Sequence, residues 1–165
     1  MIGQNETRDS KNIALEPRER KGGLSVTVLV SACLLGENCK YNGGNNDNPR
    51  VAAYLADQEI IPVCPEILAG LGAPRNPAEI QNGKVVDCLG NDVDQKFREG
   101  VRLALEKIRG IPVDLAILQP RSPTCGVRQI YDGSFSGKLI PGQGLFAKAL
   151  LDMGIKVMDA DEFSK

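Results

Sequence analysis

The sequence predicts an α/β domain built around a mostly parallel β-sheet, and three observations lead to that prediction. Short apolar segments alternate with segments of helical periodicity, which is the pattern of successive β-α-β units. The clearest apolar segments are almost continuously hydrophobic and β-branched, as strands buried on both faces of a parallel sheet are. The chain has 165 residues, 42% of them hydrophobic, which suits one buried core. We therefore expect a single-domain, Rossmann-like three-layer fold with right-handed crossovers.

The first half of the chain predicts two strands and one helix. Residues 25–31 (SVTVLVS) form the first buried strand. Residues 51–56 predict a short helix and residues 60–63 a second strand, in which Pro62 indicates a sheet edge or a strand end. The stretch 65–77 is rich in glycine and proline, so we expect an ordered loop there.

A longer helix follows an ambiguous segment at residues 85–87. Asp92 or Asp94 is expected to cap this helix, and Gly110 to end it. Its apolar side chains are spaced by three and four residues, as an amphipathic helix requires. These are Phe97, Val101, Leu105 and Ile108.

The last third of the chain continues the alternation. Residues 113–118 predict a third buried strand, and the turn-rich segment 131–137 predicts a hairpin-like structure. Residues 145–153 predict a helix closed by Gly154, and residues 155–158 predict a last strand.

Composition excludes several kinds of function. The chain has 20 Lys and Arg against 21 Asp and Glu, a net charge of −1, so nothing in its charge favours a nucleic acid polymer or an anionic membrane. Aromatic residues make up only 4%, which argues against a base-stacking platform. Histidine is absent, which removes the Ser-His-Asp triad, the Cys-His pair and histidine-ligated zinc. Acid–base chemistry must then come from other groups, such as carboxylates, thiols or bound water.

The first 25 residues differ in character from the rest. Residues 1–25 are polar and are expected to form a disordered tail, while residues 26–165 form the domain. We find neither a secretory signal nor a stretch of about 20 apolar residues that would span a membrane. The sequence thus predicts a cytoplasmic protein, and it gives no prediction of the oligomeric state.

Three of the five cysteines come directly after predicted strands. Cys33 follows the first, Cys64 the second and Cys125 the third. Because parallel strands end at one edge of a sheet, these thiols are expected to converge where such folds bind ligands. An odd number of cysteines in a reducing compartment argues against a disulfide framework. Three thiolates without histidine favour a soft metal centre, either zinc with water or an iron–sulfur cluster with one open iron.

The other two cysteines are less informative. Cys39 is either a fourth ligand or a bystander on the Asn/Gly-rich loop, and we favour the bystander. Cys88 lies away from the strand ends and is expected to be structural or incidental.

Several polar residues accompany the strand-end cysteines. Glu66 lies two residues after Cys64 and either moves protons or caps a local turn or helix. Ser122 and Thr124 either orient a substrate and its sulfur ligands or simply stabilise the turn. Arg75 and Arg121 either hold an anionic oxygen or pair with loop carboxylates.

Four ordered motifs together resemble the DUF523 family, which includes the thiouracil desulfidases. The resemblance covers residues 26–158 and is carried by VSACLLG (30–36), CPE (64–66), RSPTCG (121–126) and YDGSFSG (131–137). It implies a [4Fe-4S] cluster held by three cysteines and a non-redox desulfuration of 2-thiouracil to uracil. On the matching positions the ligands are Cys33, Cys64 and Cys125, with Glu66 as acid/base and Ser122 as orienting group.

This chain departs from the family pattern at a few positions. Thr124 stands where the family usually has serine, which keeps the hydroxyl, and Gln119-Pro120 precedes Arg121 where a lysine is frequent. Family membership does not fix the substrate, so a related thioamide remains an alternative to a thiolated nucleobase. A non-catalytic cluster that senses sulfide or redox state, and a zinc or thiol enzyme, are the competing functions.

Overall fold

The computed structural model describes residues 18–20 and 23–163. Its strands, in chain order, are β1 (Arg18–Arg20), β2 (Gly23–Ser25), β3 (Thr27–Ser31), β4 (Glu59–Val63), β5 (Ala78–Gln81), β6 (Lys84–Asp87), β7 (Leu115–Leu118), β8 (Gln129–Tyr131), β9 (Leu139–Pro141) and β10 (Val157–Asp159). Its α-helices are α1 (Pro49–Leu55), α2 (Pro65–Leu68), α3 (Asp94–Lys107) and α4 (Leu145–Asp152). The described residues also contain the 3-10 helices Ala32–Leu35 and Ala160–Phe163.

The core is a four-stranded parallel sheet in the order β10-β7-β3-β4, which confirms the predicted fold class. All residues of β3 and β7 are buried, as their continuous apolar sequences predict. The chain leaves β3 for β4 on one side and later crosses to β7 on the other side of β3. Strand order therefore reverses at β3, which is where open α/β sheets bind ligands at the carboxyl ends of their strands.

Helices cover both faces of this sheet, because alternate residues of a strand point to opposite faces. Leu29 faces a cluster that includes Val101 of α3 and Phe146 of α4. The adjacent Val30 faces the other cluster, with Val51 of α1. The three layers that the sequence predicts are thus present.

Three antiparallel hairpins are added to the sheet: β1 with β2, β5 with β6, and β8 with β9. The β5–β6 hairpin resolves the ambiguous segment 85–87 as a strand. The β8–β9 hairpin encloses the turn-rich segment 132–138, so the hairpin-like prediction is confirmed.

Two local predictions need correction. The stretch 65–77, expected to be a loop throughout, begins with α2, because Pro65 at the first helical position has its φ already set for a helix. The capping residue of α3 is Val93. Asp92 still contributes, since its Oδ1 accepts a hydrogen bond from the N–H of Asp94 at 2.9 Å.

Residues 1–17 and 21–22 of the predicted N-terminal tail lie outside the described residues, whereas residues 18–20 and 23–25 form the paired strands β1 and β2. The boundary at residue 26 between tail and domain therefore stays a prediction. Within the described part of the chain, no helix is both long enough and apolar enough to cross a membrane.

Candidate active site

A cleft of about 560 Å³ opens at the carboxyl ends of β3, β4 and β7. All five of the predicted site residues line it, namely Cys33, Cys64, Glu66, Ser122 and Cys125. The remaining walls come from the loop after β3 and from the β5–β6 and β8–β9 hairpins. The fold thus gathers residues that are widely separated in sequence into one concave surface.

Cys33 lies on the 3-10 helix that directly follows β3. Its Sγ accepts a hydrogen bond from Asn46 Nδ2 at 3.3 Å. A hydrogen bond from the Cys39 thiol lowers the pKa of Cys33 to about 7, with a smaller contribution from Asn46 and against the opposing effect of burial. Cys33 is thereby favoured as a thiolate, the form that binds metals.

Cys64 directly follows β4 and occupies the position before the first helical residue of α2. Its Sγ lies 3.5 Å from Glu66 Oε1. Strand β4 pairs in parallel with β3, so Cys64 and Cys33 emerge from neighbouring strands at the same edge.

Cys125 lies in the loop after β7 and is buried, with an exposed fraction of 6%. Its N–H donates to Ser122 Oγ at 2.7 Å. Burial raises the pKa of the Cys125 thiol well above its usual value, and the negative charge of Glu66 raises it further. The Ser31 hydroxyl opposes this shift by hydrogen bonding to the sulfur. The negative charges of Cys33 and Cys64 make smaller contributions that also raise the pKa of Cys125.

The loop that carries Cys125 is fixed from behind by the start of α4. The N–H groups of Leu145 and Phe146 donate to the carbonyls of Pro123 and Thr124, at 2.9 and 2.8 Å. Gly144 makes this approach possible, since a Cβ there would lie 2.4 Å from the carbonyl carbon of Thr124. Backbone packing therefore sets the position of Cys125.

Glu66 is buried, and each of its carboxylate oxygens has a neighbour. Thr124 Oγ1 donates to Oε2 at 2.7 Å, and Cys64 Sγ contacts Oε1. Both side chains are shielded from solvent, with exposed fractions of 9% for Glu66 and 0% for Thr124. The Thr124 hydroxyl thus fixes the carboxylate, and its Oε1 edge faces the thiols.

Comparison with known proteins identifies the family. A sequence profile of the 2-thiouracil desulfurases matches residues 28–162. The chain belongs to the 2-thiouracil desulfurase (DUF523) family. The resemblance seen in the four motifs is thereby confirmed.

Two relatives illustrate how closely the family members correspond. The protein YbbK of Bacillus subtilis (strain 168), which is uncharacterised, is 35% identical over 147 residues, covering 83% of this chain and 97% of YbbK. The solved structure of the [4Fe-4S]-dependent thiouracil desulfidase TudS (DUF523Vcz) is 36% identical and superposes with a TM-score of 0.78. That match covers 84% of this chain and 93% of TudS.

In this desulfurase family member the fourth cysteine of the cleft is Cys39. It is buried, and its thiol hydrogen bonds to Cys33 and Cys64, which raises its pKa strongly. Arg75 Nη2 donates to the Cys39 carbonyl at 3.0 Å. The sequence favoured a bystander on the loop, and the structure places Cys39 in the cleft beside Cys33 and Cys64.

The two arginines that the sequence offered as anion binders have other partners. Arg121 Nη1 pairs with Asp161 Oδ2 at 2.9 Å, which is the carboxylate pairing considered as its alternative. Arg75 donates to backbone carbonyls, those of Gly72 and Cys39. Cys88 is exposed and does not line the cleft.

Sequence reasoning missed Ser31 and Asn46. Ser31 Oγ accepts from the N–H of Gln119 at 3.0 Å, so it links β3 to the end of β7 as well as contacting Cys125. Asn46 reaches Cys33 because the N–H of residue 46 donates to the Cys33 carbonyl at 2.9 Å and closes the intervening loop. The sequence signals for Ser31 were its place at the end of a buried strand and its position in the VSACLLG motif.

The donor set fits an iron–sulfur cluster. Across residues 18–20 and 23–163, no group of three or more cysteine and carboxylate side chains is arranged to hold a single metal ion. A cubane cluster needs a wider arrangement, since each cysteine ligand binds a different iron. The cleft supplies thiols and the chain has no histidine, and this donor set is the one that iron–sulfur clusters use.

Proposed function

We propose that this protein removes sulfur from a thiolated nucleobase, 2-thiouracil, in a [4Fe-4S]-dependent reaction without net redox change. Water replaces the sulfur, so that 2-thiouracil and water give uracil and hydrogen sulfide. The observation that carries the proposal is the convergence of Cys33, Cys64 and Cys125 with Glu66 in one cleft at the switch point of the sheet. Membership of the desulfurase family and the likeness to TudS support it.

Cys33, Cys64 and Cys125 would hold the cluster as thiolates. When bound, a cluster with three cysteine ligands has one iron without a protein ligand, which acts as a Lewis acid toward the substrate sulfur. Ser31 and Asn46 would orient two of these sulfurs through their hydrogen bonds, as residues around metal ligands commonly do.

Glu66 is the proposed acid/base. Its Oε2 is held by the Thr124 hydroxyl, so the Oε1 edge is the one directed toward the reacting groups. At Oε1 the carboxylate would take a proton from the attacking water and release it to the departing sulfur, and it would then pass on the second proton when the added hydroxyl becomes the carbonyl of uracil. One carboxylate thus serves both halves of the reaction, and the proton balance is zero.

Ser122 is the proposed orienting group. Its Oγ already accepts a hydrogen bond from the N–H of Cys125, which leaves its own O–H free to donate toward the cleft. The two interpretations from the sequence, turn stabilisation and substrate orientation, are therefore compatible.

The test compares cysteine variants of anaerobically purified protein. We expect the unmodified protein to contain iron and labile sulfide and to release sulfide from 2-thiouracil. Cys125→Ala and, independently, Cys33→Ala should lose both the cluster and the turnover. Cys88→Ala is the matched control, since Cys88 is exposed and outside the cleft, and it should retain both.

Three outcomes would contradict the proposal. Sulfide release that persists in Cys125→Ala would remove the cluster from the mechanism. Spectral change on adding ligand without any product would assign a sensing or binding role. Zinc without iron or labile sulfide, in protein kept from air, would assign a zinc enzyme.

A further inference from the structure

Aromatic side chains are concentrated around the cleft. The chain has three tyrosines, four phenylalanines and no tryptophan, so aromatics are scarce. Four of them line the cleft: Tyr41, Phe97, Tyr131 and Phe135. Phe97 is largely enclosed in the core, with an exposed fraction of 5%, whereas Phe135 is only half-buried. Phe135 is thus an aromatic ring that remains available in the cleft.

Phe135 adopts a backbone conformation that bulky residues rarely adopt. Its φ is +57°, in the left-handed region, although it is not glycine. Such a conformation persists only where surrounding contacts impose it, and these positions cluster at functional sites.

The carboxylate of Glu79, on the neighbouring hairpin, anchors the turn that contains Phe135. Glu79 Oε1 accepts hydrogen bonds from the N–H of Gly133 and the N–H of Phe135, each at 3.0 Å. Gln81 Nε2 donates to the Gly133 carbonyl. The β5–β6 hairpin therefore holds the turn of the β8–β9 hairpin through three hydrogen bonds.

Close backbone approach adds to this connection. A Cβ on Gly133 would lie 2.5 Å from the carbonyl oxygen of Ile80, so the two hairpins are in direct contact at this point. The Glu79 carboxylate binds the turn through two backbone N–H groups, and these hydrogen bonds help to position Phe135.

We propose that Phe135 provides the face on which the ring of the substrate stacks, and that Glu79 is the positioning residue that holds it there. The inference rests on the proposed function and narrows its substrate class to planar, ring-shaped thiolated compounds. Every nucleobase has a π-face that stacks on an aromatic side chain, whereas an open-chain thioamide offers far less area. Phe135 thereby selects for the ring of the substrate, while the thiols and Glu66 act at the sulfur of the substrate.

The test measures binding of uracil, the product, by titration calorimetry with cluster-loaded protein. Phe135→Ala should weaken uracil binding by about tenfold, the usual effect of removing a stacking partner. Phe135→Tyr should retain binding, and iron content should be unchanged in both. Phe163→Ala is the matched control, because Phe163 packs against Tyr54 and does not line the cleft.

A double-mutant cycle tests the role of Glu79. If Glu79 acts only through Phe135, Glu79→Ala weakens uracil binding, and Glu79→Ala combined with Phe135→Ala is no weaker than Phe135→Ala alone. Glu79→Gln should restore most of the affinity, since its amide oxygen still accepts both N–H groups. Additive losses would overturn the positioning role.

The remaining outcomes separate this inference from the proposed function. Equal uracil binding by the unmodified protein and by Phe135→Ala, or no uracil binding at all, overturns the proposal that the substrate ring stacks on Phe135. Equal efficiency toward thioacetamide and 2-thiouracil also overturns it and leaves the desulfidase activity standing. Uracil binding that depends on Phe135, without sulfide release from any thiolated compound, supports stacking on Phe135 and contradicts the proposed desulfidase function.

Discussion

The two sides of the cleft are built by different means. The sheet side carries Cys33, Cys64 and Cys125, each on the segment that directly follows a parallel strand. The opposite side, called the rim here, is formed by the β5–β6 and β8–β9 hairpins and carries Phe135. The N–H of Phe135 donates a hydrogen bond to the carboxylate of Glu79, which lies 56 residues away in sequence. Backbone topology thus fixes the sulfur donors, while side-chain contacts between two hairpins fix the aromatic ring. Changes on the two sides should therefore affect different steps of the reaction.

The largest expected effect is on the sheet side, at Glu66. Glu66→Gln keeps the shape of the side chain and its hydrogen bond from Thr124 but cannot take a proton. We expect kcat for 2-thiouracil to fall by at least about 100-fold, as for other acid/base residues, with iron content unchanged.

Glu99→Gln is the control for this variant. Glu99 forms an exposed pair with Arg102 on α3 and does not line the cleft, so its substitution should leave kcat unchanged. Activity of Glu66→Gln within about twofold of the unmodified protein would remove Glu66 from the mechanism.

Two glycine substitutions compare the sides directly. Gly144→Ala pushes a Cβ into the Thr124 carbonyl and should lower the free energy of unfolding by about 1–3 kcal/mol, together with iron content. Gly133→Ala disturbs the contact between the hairpins and should raise KM while iron content is retained.

Gly142→Ala is the control, since its Cβ would meet only the flexible side chain of Ile130, at 3.2 Å. Iron content and KM are measured for all three variants, and together they show whether the two sides of the cleft act separately. Loss of iron in Gly133→Ala would show that the rim also supports the cluster and that the two sides are not separate.

A smaller effect is expected at Thr124. Thr124→Val removes the hydroxyl that donates to Glu66 Oε2 and leaves a buried carboxylate oxygen without that partner. We expect kcat to fall by about tenfold, in line with the cost of an unmade buried hydrogen bond. Thr124→Ser restores the donor and should recover the activity, whereas equal losses in both variants would indicate a packing role.

The smallest effect is expected at Cys39. Three cysteines suffice to hold the cluster, so Cys39→Ala should retain iron and labile sulfide. Loss of about one quarter of the iron or of the whole cluster would assign Cys39 as a fourth ligand. The open iron required by the proposed mechanism would then be absent.

The sequence predicted the sheet side well because its signals are local. A continuous apolar run is enough to place a buried strand, and the residue after it is then placed at the sheet edge. Cys33 lies two residues after the end of β3 and Cys64 one residue after the end of β4, and both line the cleft as expected. Helix α2 was missed because its four residues are too few to show a helical period.

The contact between Glu79 and Phe135 on the rim could not be predicted, because it depends on long-range packing. Glu79 and Phe135 meet only because two hairpins pack together, and no pattern within either hairpin encodes that contact. The low aromatic content argued against a base-stacking platform, but composition cannot say where the few rings lie in the fold. Cys39 was likewise undecided, because its position depends on how the loop folds back onto Cys33.

Sulfur ligands drawn from residues 33, 64 and 125 would make the inorganic core a cross-link between three strand ends. Binding to the cluster would link segments that lie up to 92 residues apart in the chain, from residue 33 to residue 125. Loading with iron would therefore raise the melting temperature, as any ligand that binds tightly to the native state does. Exposure to oxygen would then act twice on this protein, removing its reactive centre and loosening the fold that holds it.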